Sequence, residues 1–330
     1  MFLESLVSIF KIVICLIYAL LTLKYISIYG KDRFLKISTY TYLVFLILMI
    51  LGVIAYSFGL DLGLTFAGTF RASGTFEDPN LAASYVFIMI SFLMTYFSTK
   101  RNYFMFFMGI ILFIVAIMLT ASKGALVSLS IASISIFLLL LFLGRIKSAI
   151  LQVILYGICF FILFIIYSES YLVQTIVEPI FNRWEEFTGN MAEDHSFEHR
   201  KFLWDTAFQL GMNNPLLGIG VEQFRAAASQ TTGLNIWNIV HNTYLTFFSE
   251  LGLVGLISFI WIWLYLILKG LKNIKLNKYL IFYLFSVFAI LVSMYSISLG
   301  NFRAIWVFIA YLVYELTSID YSKNNKVGIK

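Results

Sequence analysis

Residues 194–255 read DHSFEHRKFLWDTAFQLGMNNPLLGIGVEQFRAAASQTTGLNIWNIVHNTYLTFFSELGLVG, a polar segment holding all three histidines of the chain that runs directly into a long apolar stretch. On both sides the chain is mostly apolar, in segments long enough to span a bilayer, so chemistry on polar groups is expected to centre here. Composition fixes the class. The chain is 61% hydrophobic and 12% charged, against roughly 45–50% apolar and 25% charged in soluble domains. An all-α polytopic membrane protein follows. The net charge of +6 does not point to nucleic acid, because the lysines and arginines lie between apolar runs and not on one basic face. Cys15 and Cys159 both fall in apolar runs, so neither a disulfide framework nor a metal cluster is readable.

Working outward, about nine apolar segments are long enough to cross a hydrocarbon core of about 30 Å. They run over Leu6 to Tyr29, Ile37 to Phe58, Leu81 to Ser98, Phe104 to Ala121, Ala125 to Gly144, Ile150 to Tyr167, Thr243 to Leu268, Tyr279 to Leu299 and Ala304 to Ile319. Lysines and arginines follow the first, third, fifth, seventh and ninth, as at Lys31, Arg33 and Lys36, at Lys100 and Arg101, or at Lys269 and Lys272. Every second connection is basic, which predicts a cytoplasmic C-terminus and an extracytoplasmic N-terminus. No basic leader with a cleavage site precedes the first segment, so it is expected to stay as a helix, although it carries Lys11. Three parts result: N-terminal spans over 1–167, a large extracytoplasmic loop over 168–242, and C-terminal spans with a cytoplasmic tail over 243–330.

Cations also recur on the side where the topology rule would not place them. Arg71, Lys123, Arg200 and Arg303 each stand near an outer boundary. Lipid headgroups account for any one of them; the four together suggest an anionic ligand.

Inside the large loop, Phe197, Leu203, Ala207 and Leu210 keep a helical spacing, with Glu198, Lys201 and Asp205 on other faces. An interfacial helix is expected there, ended by Asn213-Asn214-Pro215. Gly218 and Gly220 then make a tight turn, either as ordinary turn chemistry or as a cradle for a ligand, before a short helix over Val221 to Ala228. His241 stands where the chain re-enters the membrane, followed by Asn242. Its imidazole can take up a proton near neutral pH, or it can simply be interfacial. Glu250, deeper in the same span, should face protein or a cavity, where it can pair with a cation, help to bind substrate or lock helices. His195-Ser196-Phe197-Glu198-His199 matches the H-x-x-E-H pattern of one class of zinc peptidases. With only three fixed positions and no clear third ligand, the stretch reads as a solvated segment before the helix, and neither metal nor cofactor is expected.

The segments HRKFLWDTAFQLGMNNPLLGIGVEQF (199–224) and IVHNTYLTFFSELGLVGLISF (239–259) resemble the hallmark region of the O-antigen ligase and polymerase superfamily. Its pattern is approximately R-x3-W-x2-A, then P-x2-G-x-G, then H-N-x-[YF]-L-x4-E-x-G. RASGTFEDPNLAASY (71–85) and LTASKGALVSL (119–129) are similar to two further signatures, and the likeness runs from about Phe70 to Phe259. The resemblance implies an inverting, membrane-embedded glycosyltransferase of the bacterial inner membrane, working at the outer face on an undecaprenyl-diphosphate-linked glycan. Arg200 matches the loop arginine, whose fork suits phosphate oxygens. His241 matches the catalytic histidine, which would activate the acceptor hydroxyl. Lys123 stands where most members carry arginine and would be a second diphosphate contact, while Arg71 and Asn80 match positions of less defined role. Asn242, Glu250 and Arg303 complete the candidate substrate-binding set. The chain is shorter than most members, as if helices were missing at its N-terminal end.

The acceptor separates a polymerase, which transfers the growing glycan of O-antigen or capsule to a new lipid-linked repeat unit, from a ligase, which transfers it to lipid A core. With no strongly basic surface for a phosphorylated core, polymerase is the reading taken. A lipid-linked oligosaccharide transporter would show paired repeats and a central charge set, and neither is evident.

Overall fold

In the computed structural model, residues 2–66, 69–169 and 195–327 are described. The architecture is all-α. The helices are α1 (Phe2–Tyr29), α2 (Lys31–Ser57), α3 (Pro79–Thr99), α4 (Tyr103–Leu119), α5 (Lys123–Phe142), α6 (Ile146–Glu169), α7 (His195–Asn213), α8 (Phe224–Thr232), α9 (Thr243–Asn273), α10 (Leu280–Ser293) and α11 (Arg303–Val327). Six of them, α1, α2, α3, α5, α9 and α11, are long and apolar enough to cross a membrane; α4, α10 and the described part of α6 are shorter apolar helices. Each of the nine expected segments falls on one of these nine helices, and the chain is a multi-pass membrane protein. Residues 170–194 of the large loop expected over 168–242, among them Glu193 and Asp194 beside the H-x-x-E-H stretch, lie outside the described residues.

The helix ends differ from expectation where basic residues or backbone bonds intervene. Arg33 and Lys36 belong to the first turns of α2 and Lys269 to the last turns of α9, so these cations extend helices and do not lie in loops. α10 stops at Ser293, short of the expected Leu299, because the carbonyls beyond it are taken elsewhere: Thr243 N–H donates to Met294 O at 2.8 Å and its hydroxyl to Ile297 O at 2.7 Å.

The chain forms two compact units. One comprises Met1–Gly30, Ala192–Leu280 and Met294–Lys330, the other Lys31–Met191 and Ile281–Ser293. In the first, α1 packs on α11, and α9 packs on α7 and α11. Polar groups at the far end of α9 are paired, with Lys269 Nζ 2.5 Å from Asp320 and the Asn277 amide donating to Glu315 at 2.8 Å. In the second, α3 is the central helix, packed by α2, α4 and α5 and buried on nearly every face from Ala82 to Phe97, as expected of a helix that is apolar all round. α10 joins it through the ring pairs Phe92–Tyr283 and Phe113–Phe285 and through a Ser293–Ser128 hydroxyl contact of 3.0 Å. Large apolar side chains such as Leu20, Phe142 and Trp261 stay exposed, as a lipid solvent allows.

Candidate functional site

In the first unit the site is built around the entry to α9. His241 has φ 53°, a left-handed conformation that a non-glycine residue holds only when its neighbours fix it. They do. Val240 is 1% exposed and lies in a small apolar core with Leu203, Ala207 and Leu210 of α7 and Phe224 and Ala228 of α8. The Val240 carbonyl accepts from the Trp204 indole N–H at 3.1 Å, and the Trp204 ring meets Tyr295 edge-on at 4.9 Å. On the other side Asn242, 2% exposed, caps α9 by accepting from Leu245 N–H at 3.1 Å. Fully buried Thr243 is held by the two bonds given above and accepts from Leu299 N–H at 2.9 Å. His241 is thus clamped between a core residue and a three-bond anchor.

The helix that carries Arg200 runs along this clamp. His199 Nε2 is 3.4 Å from the Asn238 amide, and Trp204 reaches Val240. Arg200 lies between these two contacts in α7 and shares a face with Leu203, Trp204 and Ala207 by helical spacing. Of the expected apolar stripe, Leu203, Ala207 and Leu210 are buried in the core shared by α7 and α8, while Phe202, Phe208 and Met212 of the same helix stay exposed. Arg303, exposed, is the first residue of α11. It follows the segment 294–299 that binds Thr243, so the structure ties the start of α11 to the start of α9.

Below His241, α9 is broken. Gly252 has φ 65° and ψ −163° inside the helix. Segment 215–220 lies against the break and exchanges backbone bonds with it: Leu253 N–H donates to Pro215 O at 2.7 Å, Val254 N–H to Leu216 O at 3.3 Å, Ile219 N–H to Ser249 O and Gly220 N–H to Glu250 O, both at 2.9 Å. The close approach needs glycine on both sides, since a Cβ on Gly218 would sit 2.4 Å from Glu250 C and one on Gly252 2.3 Å from Leu216 C. The amides of the glycine turn are therefore spent on helix carbonyls, and the turn is not a phosphate cradle. Glu250 belongs to the same device. Its carboxylate accepts from Glu222 N–H at 2.8 Å and from Phe224 N–H, so it fixes the start of α8, which no side chain of its N-cap residue does. Glu222 has φ 58°; this delays α8 to Phe224, three residues later than the expected Val221. α1 reaches the same turn, where Ser8 donates to Glu222 at 2.7 Å and Ser5 to Val221 O at 2.8 Å.

The second unit gathers Arg71, Asn80 and Lys123. Arg71 Nε donates to Thr120 O at 3.1 Å, and the guanidinium lies 5.6 Å from the Phe66 ring centroid. Ala72 N–H donates to Leu119 O at 2.8 Å. Ser122 donates to the Asn80 side chain at 2.5 Å and accepts from Ala125 N–H as the cap of α5. Lys123 is the first residue of that helix. Gly74 is needed because a Cβ there would meet the Phe45 ring at 2.6 Å, while Asp78 and Pro79 start α3. Two signature loops that are distant in sequence thus form one small platform. Lys123 and Arg303 each add a cation to a helix N-terminus, where the macrodipole is already positive.

Sequence reasoning did not anticipate Thr243, Ser122 or Thr120, each almost fully buried. The only signal for them is that they stand beside the chemically conspicuous residues. The side chain of His195 lies outside the described residues; among those described, no group of three or more His, Cys, Asp or Glu could hold a metal ion.

Residues 108–260 match the family model described as O-antigen ligase, and the match supports the O-antigen ligase/polymerase superfamily for this chain. Lys123, Arg200, His241, Asn242 and Glu250 fall inside the matched range, and Arg71, Asn80 and Arg303 fall outside it. No curated protein matches the chain.

Proposed function

We propose that this multi-pass membrane protein, which carries an O-antigen ligase domain, moves a glycan from an undecaprenyl-diphosphate donor to an acceptor hydroxyl at the outer face of the bacterial inner membrane. The observation that carries this reading is the clamped, left-handed His241 at the mouth of α9, beside the helix that bears Arg200. His241 removes the acceptor proton as the hydroxyl oxygen attacks the anomeric carbon. The bond from that carbon to the diphosphate oxygen breaks, undecaprenyl diphosphate leaves, and the configuration inverts. Arg200 supports the leaving diphosphate, for which its planar fork gives two parallel hydrogen bonds. Asn242 and Thr243 act as the mount. Glu250 was a candidate for substrate contact; the engagement of its carboxylate with two backbone amides favours a supporting role. Lys123 and Arg71 give the second unit a cationic platform suited to the same class of anion.

The growing glycan is transferred to a new lipid-linked repeat unit, so the protein is a polymerase of O-antigen or capsule. The absence of a strongly basic surface in the sequence favours this acceptor over a phosphorylated lipid A core.

The test is transfer by purified protein with a lipid-diphosphate glycan. His241→Ala should lower turnover by the roughly 10²- to 10⁴-fold that general-base help supplies, while donor binding is retained. Arg200→Lys should be nearly as damaging as Arg200→Ala, since an ammonium cannot replace a planar two-point contact. Normal glycan length distribution from His241→Ala protein present at normal level would sink the mechanism.

A further inference from the structure

The second unit has a pocket at the opposite end of α3 from Asn80. It has a volume of about 730 Å³ and is walled by Asp32, Arg33 and Lys36 of α2, by Tyr40 and Tyr96, and by Lys100 just past the end of α3. It is an open notch at the surface and not an enclosed cavity. Three cations face one carboxylate there. Lys100 Nζ is 3.7 Å from Asp32 Oδ2, with the two side chains 50% and 73% exposed, so this pair is wet and weak. The Lys100 ammonium also lies 6.0 Å from the Tyr96 ring centroid, and the Tyr40 and Tyr96 rings meet edge-on at 6.2 Å.

The position of the pocket narrows the ligand class. Asn80 and Lys100 stand at the two ends of α3, which at 1.5 Å per residue puts the pocket about 30 Å from the Asn80 platform, roughly one hydrocarbon thickness. It is therefore at a membrane boundary, and the alternation of basic connections assigns that end to the cytoplasm. Tyrosines beside lysine and arginine at this depth, with Ile37 and Tyr40 half exposed, form the kind of basic notch between helices that takes a lipid headgroup. We infer that this pocket binds a phosphate-bearing anion, in the bilayer the phosphodiester headgroup of an anionic phospholipid. Arg33, Lys36 and Lys100 hold the charge, and Asp32 competes with the ligand for Lys100.

The experiment is native mass spectrometry of the full chain in neutral detergent with equimolar phosphatidylglycerol and phosphatidylcholine. The parent should retain phosphatidylglycerol preferentially. Lys36→Gln/Lys100→Gln should lower that retention about 30-fold, from the loss of two boundary cations, while Lys36→Arg/Lys100→Arg keeps it. Asp32→Asn should raise it. Equal retention of the two lipids by the parent, unchanged retention in the glutamine variant, or a fall in Asp32→Asn would each overturn the site, provided that the variants melt with the parent. A second arm adds millimolar inorganic phosphate and measures its binding by equilibrium dialysis. Phosphate that binds and expels phosphatidylglycerol identifies a soluble phosphate as the occupant, and phosphatidylglycerol that stays identifies the lipid. No preferential lipid and no phosphate bound would reject both.

Discussion

Gly252→Ala tests the broken helix. At φ 65° and ψ −163° the backbone is in a region essentially restricted to glycine, where another residue costs about 1–3 kcal/mol. The added Cβ would lie 2.3 Å from both C and O of Leu216 and 2.6 Å from Leu217 N. These are backbone atoms, so relief requires segment 215–217 to move. That segment accepts from Leu253 and Val254 N–H, and each such bond contributes roughly 0.5–1.5 kcal/mol net. The total is about 2–6 kcal/mol, a drop in melting temperature on the order of 5–20 °C if the chain responds like a soluble domain of 150–250 residues. The assay is thermal unfolding of detergent-purified protein. Gly157→Ala is the control, because a Cβ there meets nothing within 4 Å and alanine is the better helix former. A Gly252→Ala protein that melts like the parent would refute the claim that α9 is interrupted and packed against 215–220.

Three further outcomes are expected. Trp204→Phe keeps an aromatic side chain, though a smaller one, and removes the donor to the buried Val240 carbonyl, costing about 1–3 kcal/mol for the unpaired carbonyl; measured with a lipid-diphosphate glycan, kcat should fall more than KM rises, because the residue before His241 loses its tether. Lys123→Arg should be tolerated and Lys123→Ala should weaken use of the diphosphate donor, read as a rise in KM; equal activity of all three proteins would remove Lys123 from the anion platform. A reporter active only outside the cytoplasm should report when fused at Asn235 and stay silent after Lys272, and the reverse pattern would put His241 on the wrong face.

The spans were legible because bilayer crossing imposes a length and an apolarity that survive in one dimension. Each of the nine expected segments falls on an apolar helix; six of these are long and apolar enough to cross a membrane, while α4, α10 and the described part of α6 are shorter than expected, and ends shift at Arg33 in α2 and Ser293 in α10. Irregular backbone was harder to read. Gly252 sits in an apolar run whose periodicity continues on both sides of it, so E-x-G looks like helix; only the partner segment 215–220, more than thirty positions earlier, supplies the bonds that let the helix break. Glu222 is ordinary in sequence and yet holds a positive φ because the Glu250 carboxylate, the Ser8 hydroxyl and Arg225 surround its turn. Grouping was likewise invisible: that Thr243 binds residues 294–299, or that Arg71 reaches Thr120, follows from contacts between distant positions.

The signature residues divide by what they do physically, and the division bears on how the pattern H-N-x-[YF]-L-x4-E-x-G should be read. Under the proposed function its histidine is the residue that takes the acceptor proton. The asparagine caps a helix, the glutamate orders the loop that starts α8, and the glycine permits the break through which segment 215–220 is attached. The motif is mostly a mount. A strained residue persists only where its surroundings over-determine it, and His241 has a core residue before it and three hydrogen bonds on Thr243 after it. A substitution at Asn242 or Thr243 should therefore disturb the imidazole without altering its chemistry, and its mark is lost turnover with an intact histidine.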